Sequence, residues 1–133
     1  MKRKIFVAVM LVFAGLAVLA VSAGTRPLEG LRAEEVRRVT VSRYPNLETE
    51  LTAEETARLV PLLNALTVYR KDPTWRDYSG DPPVFTLDLT DGTTLVVFPY
   101  NPFVVINGTG YRADRKGMKN LSDFARAIEP QAP

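Results

Sequence analysis

Three groups of side chains in this chain have residue types that do chemistry. Trp75, Arg76, Asp77 and Tyr78 follow one another in a stretch broken by Pro and Gly, residues 72–83. Amphipathic aromatics beside an arginine on a loop are what binding surfaces use. The competing reading folds Trp75 down to plug one end of the core, since a lone Trp is usually highly buried. Arg112, Arg115, Lys116 and Lys119 form a basic cluster. It could sit on an anionic envelope polymer or on lipid head groups, or it could be a solvated loop and helix entry. Asp114 makes the cluster mixed in sign, which fits nucleic acid poorly, so no nucleic-acid partner is expected. Asp72, Asp77, Asp81, Asp88 and Asp91 could supply an acid pair or a calcium site. Hard cations need several oxygens converging from one loop, and this spacing matches no EF-hand. Three of the five sit beside Pro or Gly, where Asp forms turns for local reasons. No metal and no cofactor is expected.

The chain has no Cys and no His. Disulfides, thiol nucleophiles and thiolate metal sites are excluded, and so are the commonest general base and pH switch. A hydrolase would have to be built from two carboxylates facing each other across a cleft. The 17 basic and 15 acidic residues include Lys2, Arg3 and Lys4. Without these three the balance is net −1, and a near-neutral domain is not drawn to nucleic acid by charge alone.

These side chains must be positioned by a sheet. Residues 84–113 are rich in β-branched and aromatic residues and are cut at Asp91-Gly92, Asn101-Pro102 and Asn107-Gly108. Turn dipeptides between such runs predict an antiparallel meander. Phe85, Leu87 and Leu89 share one face of a strand with one buried side. The partner strand, residues 93–100, is apolar on both faces, and its register depends on the turn. A two-residue turn sets Val96 and Phe98 beside Leu87 and Phe85, whereas a three-residue loop with Gly92 in a bulge sets Leu95 and Val97 there. The three-residue loop is preferred. Either register leaves large apolar residues, Val96 among them, on the back of the sheet, to be covered by the linker, the long loop or a partner. Asn107-Gly108-Thr109 has the form of a glycosylation sequon, but the turn accounts for Asn-Gly.

Residues 36–44 read as a first strand with Val39 and Val41 on one face, ended by Pro45-Asn46. Residues 51–66 read as a helix. Thr52 and Glu55 form a capping box, and Leu59, Leu62, Leu63 and Leu66 make one apolar stripe. Pro61 predicts a kink inside it. Residues 67–71 read as a second strand, and 114–119 as a charged loop. A last helix spans 121–128, capped by Asn120 with Asp123. The fold class is therefore α+β: an antiparallel meander sheet with two amphipathic helices packed on one face, a two-layer sandwich.

Ahead of this domain, residues 1–23 begin with three cations, continue with 17 uncharged residues and end in Val21-Ser22-Ala23. That pattern fits a signal peptide cleaved before Gly24, or an uncleaved membrane anchor. Both place the rest of the chain outside the cytoplasm, so a membrane contact is expected only through this segment. Residues 24–34 read as a linker, and 35–133 as a single domain.

Val39 to Tyr44, Thr52 to Asn64, Asp91 to Thr94 and Val105 to Tyr111 together resemble small exported α+β domains of Gram-positive bacteria. Those domains are similar to the outward-facing part of antibiotic-sensor-type membrane peptidases. The resemblance implies an exported α+β domain and transfers no functional residue. Pro61 departs from that family's uninterrupted helix. The expected function is a non-catalytic extracytoplasmic interaction or sensing module for a protein partner, with an exposed apolar patch on the sheet's back. The alternative is a binder of an anionic envelope component through Arg112, Arg115, Lys116 and Lys119.

Overall fold

The computed structural model describes residues 24–128. The expected export segment and the terminal prolines lie outside the described residues. Seven strands form one open antiparallel sheet in the order β2-β1-β4-β5-β6-β7-β3. They are β1 (Val36–Arg43), β2 (Leu47–Glu50), β3 (Val68–Lys71), β4 (Val84–Leu89), β5 (Thr94–Tyr100), β6 (Phe103–Ile106) and β7 (Thr109–Ala113). Two helices, α1 (Ala53–Ala65) and α2 (Arg115–Ala127), pack on the inner face of this sheet. The fold is α+β.

The inner face follows from strand alternation. Val39 and Val41 of β1 pair with Leu87 and Phe85 of β4, which pair in turn with Leu95 and Val97 of β5. All six are buried, together with Leu59, Leu63 and Leu66 of the α1 stripe and Leu121 and Ala125 of α2. The Phe85 ring meets that of Phe124 at 6.3 Å, which ties sheet to helix. Burying side chains of this size stabilises by about 1.5–3 kcal/mol each.

Local signals set the turns and caps. Gly92, at φ 88°, completes the three-residue loop, and Asp91 accepts hydrogen bonds from the Thr93 backbone and hydroxyl. The register is the one the bulge predicts. Asn107 and Gly108, at φ 47° and 84°, make the two-residue turn between β6 and β7. Positive φ at both central residues is the type I′ geometry, whose twist matches that of the flanking strands. The Asn107 side chain also accepts a bond from the Val96 N–H at 2.8 Å. Thr52 and Glu55 form the capping box of α1, and the helix is continuous through Pro61.

Four parts differ from the sequence reading. Pro45-Asn46 ends β1 as expected, but the turn sends the chain back as an unexpected strand, β2, whose Thr49 is buried opposite Val41. The expected linker, 24–34, is part of the core: Leu28 and Leu31 are buried. Asn64 of α1 holds it by donating to the carbonyls of Leu28 and Leu31 at 2.7 and 2.9 Å, and Thr25 bridges to Val68. The last helix starts six residues early. Its cap is Asp114, which accepts from Gly117 N at 2.7 Å and from Thr67 N at 3.0 Å, so Asn120 with Asp123 lies inside α2. Finally, the sheet's back is not broadly exposed, because the 72–83 connection lies across half of it.

Candidate functional site

The outer face of the sheet divides into two halves. On β5, β6 and β7 the outward residues are Val96, Phe98, Tyr100, Phe103, Val105, Gly110 and Arg112. On β2, β1 and β4 they are Glu48, Glu50, Arg38, Thr40, Ser42, Val84, Thr86 and Asp88. Apart from Arg112 the first set is apolar or aromatic; apart from Val84 the second is polar or charged.

The connection from β3 to β4, residues 72–83, forms a strap over the aromatic half. It opens with a 3₁₀ turn, Pro73–Asp77, capped by Asp72, whose carboxylate accepts from the Thr74 N–H at 3.0 Å and hydroxyl at 2.6 Å. Pro at the first helical position suits such a start. Trp75 lies directly on Gly110: a Cβ there would fall on the indole ring. Glycine is required at this position by close approach rather than by backbone angle. Trp75 also meets Phe98 edge-on at 5.8 Å, and Tyr78 meets Phe103 at 5.1 Å and Tyr100 at 6.3 Å. Edge-to-face rings at these separations add about 0.5–1.5 kcal/mol beyond area burial. Phe103 and Val105 are therefore fully buried although they point away from the helices. Trp75 itself is half-buried on the back of the sheet and does not enter the main core.

Arg112 locks the strap to the sheet. Its Nε donates to Asp72 at 2.8 Å, and its guanidinium lies 4.8 Å from the Phe103 ring centre. The bonds from Thr74 and then Arg112 hold the Asp72 carboxyl at about 2, below the usual carboxylate range.

The predicted basic cluster is divided. Arg112 is on the outer face of β7, whereas Arg115, Lys116 and Lys119 are exposed on α2 in the other layer. Lys119 is bound to Asp123 at 2.7 Å, and that contact, ahead of the nearby charge of Arg126, lowers the Asp123 carboxyl. Asp114 is a cap rather than a loop charge. The Asp set is also dispersed: Asp72 pairs with Arg112, Asp88 with Arg38 at 2.9 Å, and Asp91 caps Thr93. Among the described residues, no group of three or more acidic side chains could hold a metal ion.

Sequence reasoning missed one feature. An open cleft of about 380 Å³ lies on the polar half of the outer face. Ser42, Leu47, Glu48 and Val84 line it from the strands; Tyr44, Pro45 and Asn46 come from the β1–β2 turn, and Asp81 and Pro82 from the end of the strap. Tyr44 is 70% exposed and Leu47 41% exposed. The signal was Tyr-Pro-Asn-Leu, an apolar pair flanking a turn, but its burial depends on β2, which the pattern did not show. Among the described residues, no helix is long and apolar enough to cross a membrane. No family model, curated protein or solved structure matches this chain.

Proposed function

We propose that the chain is a non-catalytic interaction module working outside the cytoplasm, and that it meets a protein partner through the cleft rim at Tyr44 and Leu47. One observation carries the reading: two large apolar side chains stand exposed on either side of a turn that walls an open cleft. Exposed aromatics beside a concavity are what interaction sites use. Tyr78, 48% exposed on the strap, carries a further aromatic surface. The location rests on the three cations, the uncharged run and the Val21-Ser22-Ala23 ending of residues 1–23. The resemblance to exported Gram-positive domains belongs to the same proposal.

The test compares the full chain with a Tyr44→Ser, Leu47→Ser variant in cross-linked envelopes of the native cell. Both side chains are substantially exposed, so the variant should keep the wild-type unfolding midpoint. The proposal requires a protein cross-linked by the wild type and lost from the variant. An identical set of cross-linked species would overturn it.

A further inference from the structure

The sheet places two arginines side by side. Arg70 of β3 is the direct register partner of Arg112 of β7, so both project from the outer face. Cβ atoms of such partners lie about 4.5–5.5 Å apart, and like charges directly opposite destabilise a sheet. A third arginine joins them through the strap. Arg76 lies over the Trp75 ring at 5.6 Å, and Trp75 rests on Gly110, the neighbour of Arg112 on that face. Asp72 takes the Nε of Arg112. Asp77 is exposed and makes no ion pair with the described residues. Among the described residues, Asp72 on Arg112 is the one carboxylate bonded to any of these three arginines.

We infer that Arg70, Arg76 and Arg112, gathered around Trp75 on the outer face, bind the phosphate group of an anionic ligand. Arg112 is held in place from two sides, by Asp72 and by the Phe103 ring, which leaves its terminal nitrogens to face a ligand. Guanidinium forks match phosphate and carboxylate geometry. A phosphate group offers oxygens to more than one guanidinium fork at once, whereas a carboxylate's two oxygens are matched by a single fork. Trp75 and Tyr78 give an apolar or sugar-like body something to lie against. The inference is independent of the Tyr44 cleft and uses residues other than Arg115, Lys116 and Lys119.

Trp75 is the only tryptophan of the chain, so its emission reports on this site. The full chain is titrated with inorganic phosphate at constant ionic strength, and separately with phosphatidylglycerol or phosphatidylcholine vesicles. A saturable emission change is expected with phosphate, with the anionic vesicles, or with both. Phosphate alone identifies a soluble or polymeric source, and the anionic vesicle alone identifies a lipid head group. Arg70→Gln with Arg76→Gln should raise the half-saturating concentration at least tenfold. Both residues are exposed, so this pair keeps the fold even if Arg112→Gln loosens the strap. Arg115→Gln with Lys116→Gln should change it less than twofold. No change with either probe would overturn the inference, as would equal weakening by the α2 pair.

Discussion

The two halves of the outer face are built from neighbouring strands of one sheet, yet they are finished differently. On β5, β6 and β7 the outward residues include Val96, Phe98, Tyr100, Phe103 and Val105, and the twelve residues 72–83 lay Trp75 and Tyr78 against Phe98, Tyr100 and Phe103. On β2, β1 and β4 the outward residues other than Val84 are polar or charged, and Arg38 with Asp88 or Thr40 beside Thr86 needs no cover. An apolar outer strand has to be roofed or partnered. This fold roofs it, and the surface left open for contact is the cleft beside the β1–β2 turn on the polar half.

Breaking the covered half should have the largest effect. Phe103→Ala removes a ring buried between Tyr78 and Arg112, and the expected loss of unfolding free energy is about 3–5 kcal/mol, read from urea denaturation. The corresponding change on the open half, Thr86→Ala, should stay within about 0.5 kcal/mol. If the two losses were similar, the division of the face would be wrong. Gly110→Ala places a methyl group under Trp75 and forces the strap outward. A loss of about 1–3 kcal/mol is expected, as for overpacking elsewhere, with a red shift of Trp75 emission.

Smaller effects sharpen the contrast. Arg38→Ala removes an ion pair whose arginine is half exposed, so only about 0.2–1 kcal/mol should be lost, and less in high salt. Acid should act on the strap. The Asp72 carboxyl is held at about 2 in the fold against 3.8 when free. A carboxyl lowered by folding contributes stability that is complete above the free value and is lost as pH falls towards the folded one. Trp75 emission should therefore change between pH 4 and pH 2, and Asp72→Asn should flatten that change.

How much of this was legible in the sequence follows from how local each signal is. Thr52 with Glu55, Asp91-Gly92 and Asn107-Gly108 act within a few residues, and each predicted its cap, register or turn. The Leu59 to Leu66 stripe predicted the helix despite Pro61, which sits on the exposed side of α1. The failures depend on distant partners. Leu28 and Leu31 show no period of their own; they are held by Asn64. β2, Leu-Glu-Thr-Glu, has poor strand propensity and exists because β1 offers it an edge. Asp114 caps α2 over a glycine and two cations, which hid the helix start. The candidate site divides in the same way. The aromatic and basic residue types were visible, but their grouping came from the register of β3 against β7, which brought Arg70 to Arg112 and left Arg115, Lys116 and Lys119 on the other layer.

The claim that one half of the outer face is closed and the other open can be tested by carbene footprinting of the full chain, read by mass spectrometry residue by residue. The account predicts strong labelling of Tyr44 and Leu47, and protection of Phe103 and Val105 that is lost in Gly110→Ala. Labelling of Phe103 and Val105 in the wild type at the level of Tyr44 would contradict it.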